Sequence, residues 1–142
     1  MPRAFHRVVV TGLGAVTPIG NTTADYWEGL RTGRNGLNRV TQFDPTDLIV
    51  QIAGEVKGFD PTKYLAAKEV RRFDTFIHYG LAASVDALKD SGLDLDSVDR
   101  HQVGVCVGSG IGGLPLIEET HDAYLAGGPR KISPFFVPGS II

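Results

Sequence analysis

The stretch that decides the fold is a hydrophobic run near the start of the chain, Arg7-Val8-Val9-Val10-Thr11-Gly12-Leu13-Gly14. Three consecutive valines favour a short strand buried on both faces, and the following glycines favour a tight loop. A second run of the same kind lies further along, Val103-Gly104-Val105-Cys106-Val107-Gly108. The sequence therefore predicts two central strands that lie parallel in one sheet.

Helical patterns occupy the segments between and after these two strands. One helix is predicted to be capped by Thr22 or Asn21 and to end before Gly33, and another is predicted over roughly residues 114–126. A longer helical pattern runs from about residue 67 to Gly92, and Asp74 within it is expected to cap a fresh helix. The order of strands and helices predicts an α/β layered fold.

Glycines and small residues predict close contacts between backbones. The chain has 18 glycines among 142 residues, about twice the usual proportion. Gly80 and residues 82–84 place small side chains in the middle of the long helix, where another backbone is expected to pack. Residues 51–56 form a weaker strand pattern, in which Gly54 predicts a bulge or a close approach.

Composition excludes several classes of protein. Hydrophobic residues make up 42% and charged residues 21% of the chain, and the net charge is −2. These values are typical of a globular domain and argue against disorder or a generally basic nucleic-acid binder. No apolar run approaches the roughly 18 residues of a membrane helix, and the N-terminus lacks the core of a signal peptide. We therefore expect a cytoplasmic protein that binds neither membrane nor nucleic acid.

The chemically suggestive motifs are weak when taken one by one. The glycine clusters at residues 12–14 and 110–113 lack the third glycine of a dinucleotide-binding fingerprint and a Walker lysine, so no nucleotide cofactor is expected. Cys106 is the single cysteine, and its apolar flanks predict a buried, inert thiol. The four histidines show no metal-ligand spacing, so no metal site is expected.

Two surface features leave alternatives open. Lys68, Arg71 and Arg72 are spaced three and four residues apart, so one helical face could carry all three. This basic patch suits an acidic partner, although a solvated helix face is the plainer interpretation. Residues 129–138 are predicted to form a proline-bounded loop, and its apolar segment 132–138 is either core, or part of a subunit interface or an apolar pocket.

Taken together, several motifs resemble the β-ketoacyl-acyl-carrier-protein synthases, the elongating condensing enzymes of the thiolase superfamily. The resemblance rests on residues 7–14, on Thr17-Pro18-Ile19-Gly20-Asn21, on residues 68–74 and on Gly108-Ser109-Gly110-Ile111-Gly112-Gly113. It also rests on residues 127–138, which look most like synthase II of bacterial fatty-acid synthesis. It implies a thiolase-like layered fold, with this chain forming an incomplete first half around a mixed, largely parallel sheet.

The resemblance implies a decarboxylative Claisen condensation. An acyl chain moves to a cysteine of a Cys-His-His triad, and a malonyl carrier protein then loses carbon dioxide and attacks the thioester. Cys106 does not match that nucleophile, and all three triad positions lie beyond Ile142. The resemblance therefore implies that residues 1–142 form an N-terminal synthase domain truncated before the catalytic cysteine, with no catalytic residue of its own.

The resemblance also assigns binding roles. Lys68, Arg71 and Arg72 match the patch that receives the acidic acyl carrier protein, in its acyl and malonyl forms. Ile111 matches the residue that guards the acyl pocket, and Phe135 and Phe136 match the segment that reaches the partner subunit of a homodimer and its acyl pocket.

Two functional hypotheses remain. In the first, the chain is part of an active synthase and is inactive alone. In the second, it is a non-catalytic module for carrier-protein binding or dimerisation. The apolar end of the chain, Gly139-Ser140-Ile141-Ile142, fits either a domain cut where Ser140 starts a new element or a docked apolar tail.

Overall fold

The computed structural model describes residues 6–141, so Met1–Phe5 and the terminal Ile142 lie outside the description. The structure contains five α-helices in this range: α1 (Thr23–Arg31), α2 (Ala67–Val70), α3 (Thr75–Ser91), α4 (Leu114–Gly127) and α5 (Phe136–Ser140). Two short strands, β1 (Leu37–Arg39) and β2 (Ile52–Gly54), pair in antiparallel register with Leu37 opposite Gly54. Short 3₁₀ turns cover Pro61–Lys63, Arg100–Gln102 and Pro129–Lys131.

The predicted helices form where local signals start and stop them. The Thr22 hydroxyl accepts the Asp25 N–H at 3.1 Å and caps α1, and Asp74 caps α3. Gly92 ends α3 in the left-handed conformation, with φ +63°. The region predicted as helical from residue 67 is therefore two helices, and the fresh start at Asp74 is confirmed.

The sheet predicted from the valine runs does not form among the described residues. Neither residues 7–11 nor residues 103–108 form a strand, and β1 and β2 are the two strands in the described range. Val8 and Val105 are 89% and 86% exposed. The physical reason is that a strand needs a neighbour for its backbone hydrogen bonds, and no strand in residues 6–141 lies beside either run.

The close backbone approaches predicted from small residues are confirmed. Gly14 lies so close to α3 that a Cβ there would overlap the Ala83 carbonyl oxygen, and a Cβ on Gly12 would overlap the Ala87 carbonyl oxygen. The Leu13 N–H also donates to Asp90 Oδ2 at 2.8 Å. The loop after the first valine run is therefore held against the face of α3, and its glycines permit that contact.

Only a small core is buried within the described residues. Ala82 is fully buried and Ile77 is 9% exposed, and both lie in α3. Many large apolar side chains remain exposed, among them Val8, Ile49 and Val105. Among residues 6–141, no helix combines the length and hydropathy that crossing a bilayer requires.

Two further predictions concern the end of the chain. Residues 129–138 were expected to form a loop, but they contain a 3₁₀ turn and the first residues of α5. Ser140 does not start a new element, because it is the last residue of α5. Its hydroxyl donates to the Phe136 carbonyl at 2.7 Å, and the residue is buried.

Replacing Gly92 with alanine is expected to destabilise the protein by about 1 kcal/mol, because in the left-handed region the Cβ of an L-residue lies too close to its neighbouring carbonyl oxygen. A Cβ at Gly92 meets no atom within 4 Å, so the cost isolates the backbone conformation. Gly104→Ala is the control, since its Cβ also meets open space without a positive φ. Denaturant midpoints that shift equally in both variants would contradict this account.

Candidate functional site

The basic patch lies where α2 ends, and its geometry corrects the prediction of one helical face. Lys68 belongs to α2, Arg71 is the residue that ends it, and Arg72 lies beyond it. The Arg72 and Phe73 N–H groups both donate to the Glu69 carbonyl, at 2.9 and 3.0 Å. The chain leaves the helix because the Asp74 N–H donates to the carbonyl of Gly139, which lies far along the chain.

The three basic side chains differ in their surroundings. Lys68 and Arg71 are exposed, whereas Arg72 is half-buried. Within residues 6–141, none of the three forms an ion pair with a carboxylate. The Arg72 guanidinium lies over the Phe135 ring, 4.0 Å from its centroid, in a cation–π contact. Of the three side chains, Lys68 and Arg71 are therefore the more accessible to an acidic partner.

Asp74 joins three segments of the chain at this site. Its Oδ1 accepts the Thr75 N–H at the start of α3, and its Oδ2 accepts the Leu116 N–H in the first turn of α4 at 2.9 Å. Its own N–H donates to the Gly139 carbonyl at 3.1 Å. The carboxylate and backbone of one residue thus connect α3, α4 and α5.

The glycine loop, residues 108–113, reaches the same junction. The Gly113 N–H donates to the Ser140 carbonyl at 3.0 Å, and a Cβ on Gly113 would lie 2.7 Å from Asp74 Oδ2. Gly112 adopts φ +87° at this point. The loop can enter α4 beside Asp74 because neither residue has a side chain.

Two cavities flank the junction. A cleft of about 230 Å³ runs beside the basic patch and is lined by Arg71, Arg72, Asp74, His78 and Glu119 among others. A larger apolar cavity of about 440 Å³ lies along the other side of α3. Its lining includes Phe73, Ile77, Leu81, Val105, Val107 and Ile141.

The predicted pocket residues lie near the junction but do not line the apolar cavity. Ile111 is 76% exposed on the glycine loop, and Phe135 is 40% exposed. Phe136 begins α5 and is half-buried. The structure therefore brings Phe135 to the basic patch through Arg72, and it leaves Ile111 on the neighbouring loop.

Cys106 is exposed, which corrects the prediction of a buried thiol. The prediction assumed that a neighbouring strand covers residues 103–108, and the described residues supply none. In the same described range, no three His, Cys, Asp or Glu side chains come together as metal ligands.

Sequence reasoning identified Asp74 only as a helix cap. Its bond to Leu116 spans 42 residues, so no local pattern shows it. The available signal was the pair Gly112-Gly113 directly before α4, because adjacent glycines mark a place where another group approaches the backbone.

The family model for the N-terminal domain of β-ketoacyl synthases matches residues 5–141. The chain belongs to the β-ketoacyl synthase family. A curated relative, the 3-oxoacyl-[acyl-carrier-protein] synthase 2 of Vibrio cholerae, is 48% identical over 136 residues. That match covers 96% of this chain and 33% of the relative, so the chain spans about one third of a synthase of that type.

Solved ketosynthase structures are similar in fold. The ishigamide ketosynthase/chain length factor superposes with a TM-score of 0.79 at 29% identity, covering 93% of this chain and 33% of the other. A type II PKS acyl-carrier protein in complex with its ketosynthase gives a TM-score of 0.73 at 30% identity. That match covers 94% of this chain and 36% of the other. The thiolase-like layered fold expected from the sequence is thereby supported.

Proposed function

We propose that residues 1–142 are the N-terminal part of a β-ketoacyl-acyl-carrier-protein synthase and that they provide its docking surface for acyl carrier protein. The observation that carries this proposal is the basic patch, with Lys68 and Arg71 exposed and free of ion pairs within residues 6–141. Cations without internal partners suit an acidic protein surface, because binding then breaks no existing ion pair. A solved relative is a ketosynthase in complex with an acyl-carrier protein.

The reaction that follows from family membership is the decarboxylative condensation of an acyl thioester with malonyl carrier protein in fatty-acid elongation. Loss of carbon dioxide leaves the two-carbon unit as the nucleophile, and the thiol of the enzyme leaves as the new carbon–carbon bond forms. No residue of this chain is assigned a catalytic role. The nucleophilic cysteine is proposed to lie beyond residue 142.

The remaining sites are assigned by the same proposal. Ile111 guards the acyl pocket, and Phe135 and Phe136 contribute to that pocket or to the interface of a homodimer. The exposure of Ile111 and Phe135 supports these roles, since large exposed apolar side chains favour burial against another surface.

The exposed valine runs are explained in the same way. Residues 7–11 and 103–108 are proposed to be strands of the mixed, largely parallel sheet of the complete synthase, a cytoplasmic enzyme. Val105 and Val107 line the apolar cavity beside α3, and this neighbourhood supports the proposal because a helix packs on the face of such a sheet.

The test is a condensation assay with acyl and malonyl carrier proteins, followed by mass spectrometry of the β-ketoacyl product. The complete polypeptide is expected to form the product, and the chain of residues 1–142 is expected to form none. Cys106→Ala in the complete polypeptide should retain activity within about twofold, because a cysteine that is not the nucleophile supplies no thiolate to the reaction.

Three outcomes would contradict the proposal. Product formation by the 142-residue chain would place the catalytic groups within it. Abolished activity in Cys106→Ala with unchanged folding would make Cys106 the nucleophile. A complete polypeptide that binds carrier protein but makes no product would instead be a non-catalytic docking module.

A further inference from the structure

The Asp74 carboxylate divides its two oxygens between two helices. Oδ1 holds the first N–H of α3, and Oδ2 holds the Leu116 N–H at the start of α4. A cap alone needs one acceptor, and Ser, Thr, Asn or Asp can provide it. The second bond is a tertiary contact that depends on the second oxygen and on the length of the side chain.

That tertiary bond lies between two sites of the proposed function. Arg71 and Arg72 precede Asp74 directly in sequence, and the glycine loop with Ile111 leads directly into α4. The Asp74 N–H also holds Gly139 of α5, and the Gly113 N–H holds Ser140 beside it. Two polar bonds from Asp74 and one from Gly113 therefore fix the patch, the loop and α5 in one arrangement.

We propose that Asp74 is a positioning residue that holds the basic patch and the glycine loop in a fixed relation. A carrier protein bound on the patch then presents its thioester to the Ile111 side of the site in a single geometry. This inference rests on the proposed docking function, and it adds that Asp74 converts docking into productive delivery. A displacement of about 1 Å in such a geometry can cost up to about 100-fold in rate.

The substitution Asp74→Ser separates capping from positioning. Serine caps a helix about as well as aspartate, but its single, shorter hydroxyl cannot serve both Thr75 and Leu116. Asp60→Ser is the matched control, because within residues 6–141 the Asp60 carboxylate accepts only from Thr62, at 3.0 Å from the N–H and 2.6 Å from the hydroxyl. Asp74→Asn is the second variant, since it keeps one acceptor oxygen and loses the other.

The experiment uses the complete synthase and measures three quantities. They are kcat/KM with both the acyl and malonyl groups on carrier protein, kcat/KM with both groups on coenzyme A as the carrier-free reaction, and the Kd of the carrier protein. Asp74→Ser is expected to lower the first about tenfold, with less than a twofold change in the other two. Hydrogen exchange at the Leu116 amide should accelerate, and Asp60→Ser should match the wild type throughout.

Each other result overturns the inference. Equal losses with both substrates, or full carrier-dependent activity in Asp74→Ser, would reduce Asp74 to a helix cap. If Asp74→Ser does not fold, Asp74→Asn decides by the same criteria, and failure of both to fold assigns Asp74 a structural role only. The wild-type enzyme tests the proposed function separately from the Asp74 variants. If it shows no carrier-dependent condensation, the proposed function is overturned.

Discussion

Replacing Lys68 and Arg71 together with glutamate is expected to weaken carrier-protein binding on the order of 100-fold, which corresponds to about 2.8 kcal/mol. Both side chains are exposed and have no ion-pair partner in residues 6–141, so their charge is available to the partner. Reversal removes two attractions and adds two repulsions. The loss should shrink as salt rises, because exposed charges are screened within about 10 Å at 0.1 M salt.

The control for this prediction is Arg39→Glu with Lys57→Glu, which changes the net charge by the same amount at exposed positions outside the patch. The measurement is an isothermal titration of carrier protein into each variant of the complete synthase at low and moderate salt. Equal losses in the patch and control variants would mean that net charge, rather than a defined surface, governs binding.

The second large effect is expected for Gly14→Ala, which should lower the free energy of unfolding by about 3 kcal/mol. Its Cβ would overlap the Ala83 carbonyl oxygen, a backbone atom within α3 that can move only if the helix moves. The loop held by Gly12, Gly14 and the Leu13–Asp90 bond would then separate from α3.

Gly92→Ala is the comparison for Gly14→Ala, because it adds the same methyl group in open space and is expected to cost only the roughly 1 kcal/mol of its backbone conformation. Denaturant unfolding of both variants in the complete synthase measures the difference. A Gly14→Ala variant as stable as Gly92→Ala would show that the loop and α3 do not pack as the structure describes.

The parts of the fold that sequence predicted well depend on local signals. Thr22, Asp74 and Gly92 mark helix ends through bonds or backbone angles within a few residues, and the structure has each of them. The predicted helix over 114–126 matches α4 for the same reason. Contacts between residues that are close in sequence depend on the local sequence, so a local pattern can predict them.

The parts that sequence missed depend on distant partners. The valine run at 103–108 predicts a strand, but it is unpaired within residues 6–141, because pairing requires a neighbour that the pattern itself does not contain. The basic patch was placed on one helix face because the Asp74–Gly139 bond, which turns the chain out of the helix, spans 65 residues of sequence. The Arg72–Phe135 contact is invisible in either local motif.

The central claim is that residues at the end of α2 form the docking surface for acyl carrier protein. The most direct test is hydrogen exchange of the complete synthase with and without excess carrier protein. The account predicts slower exchange over residues 66–75 and no change at β1 and β2. Unchanged exchange over 66–75 while the carrier protein is bound would contradict it.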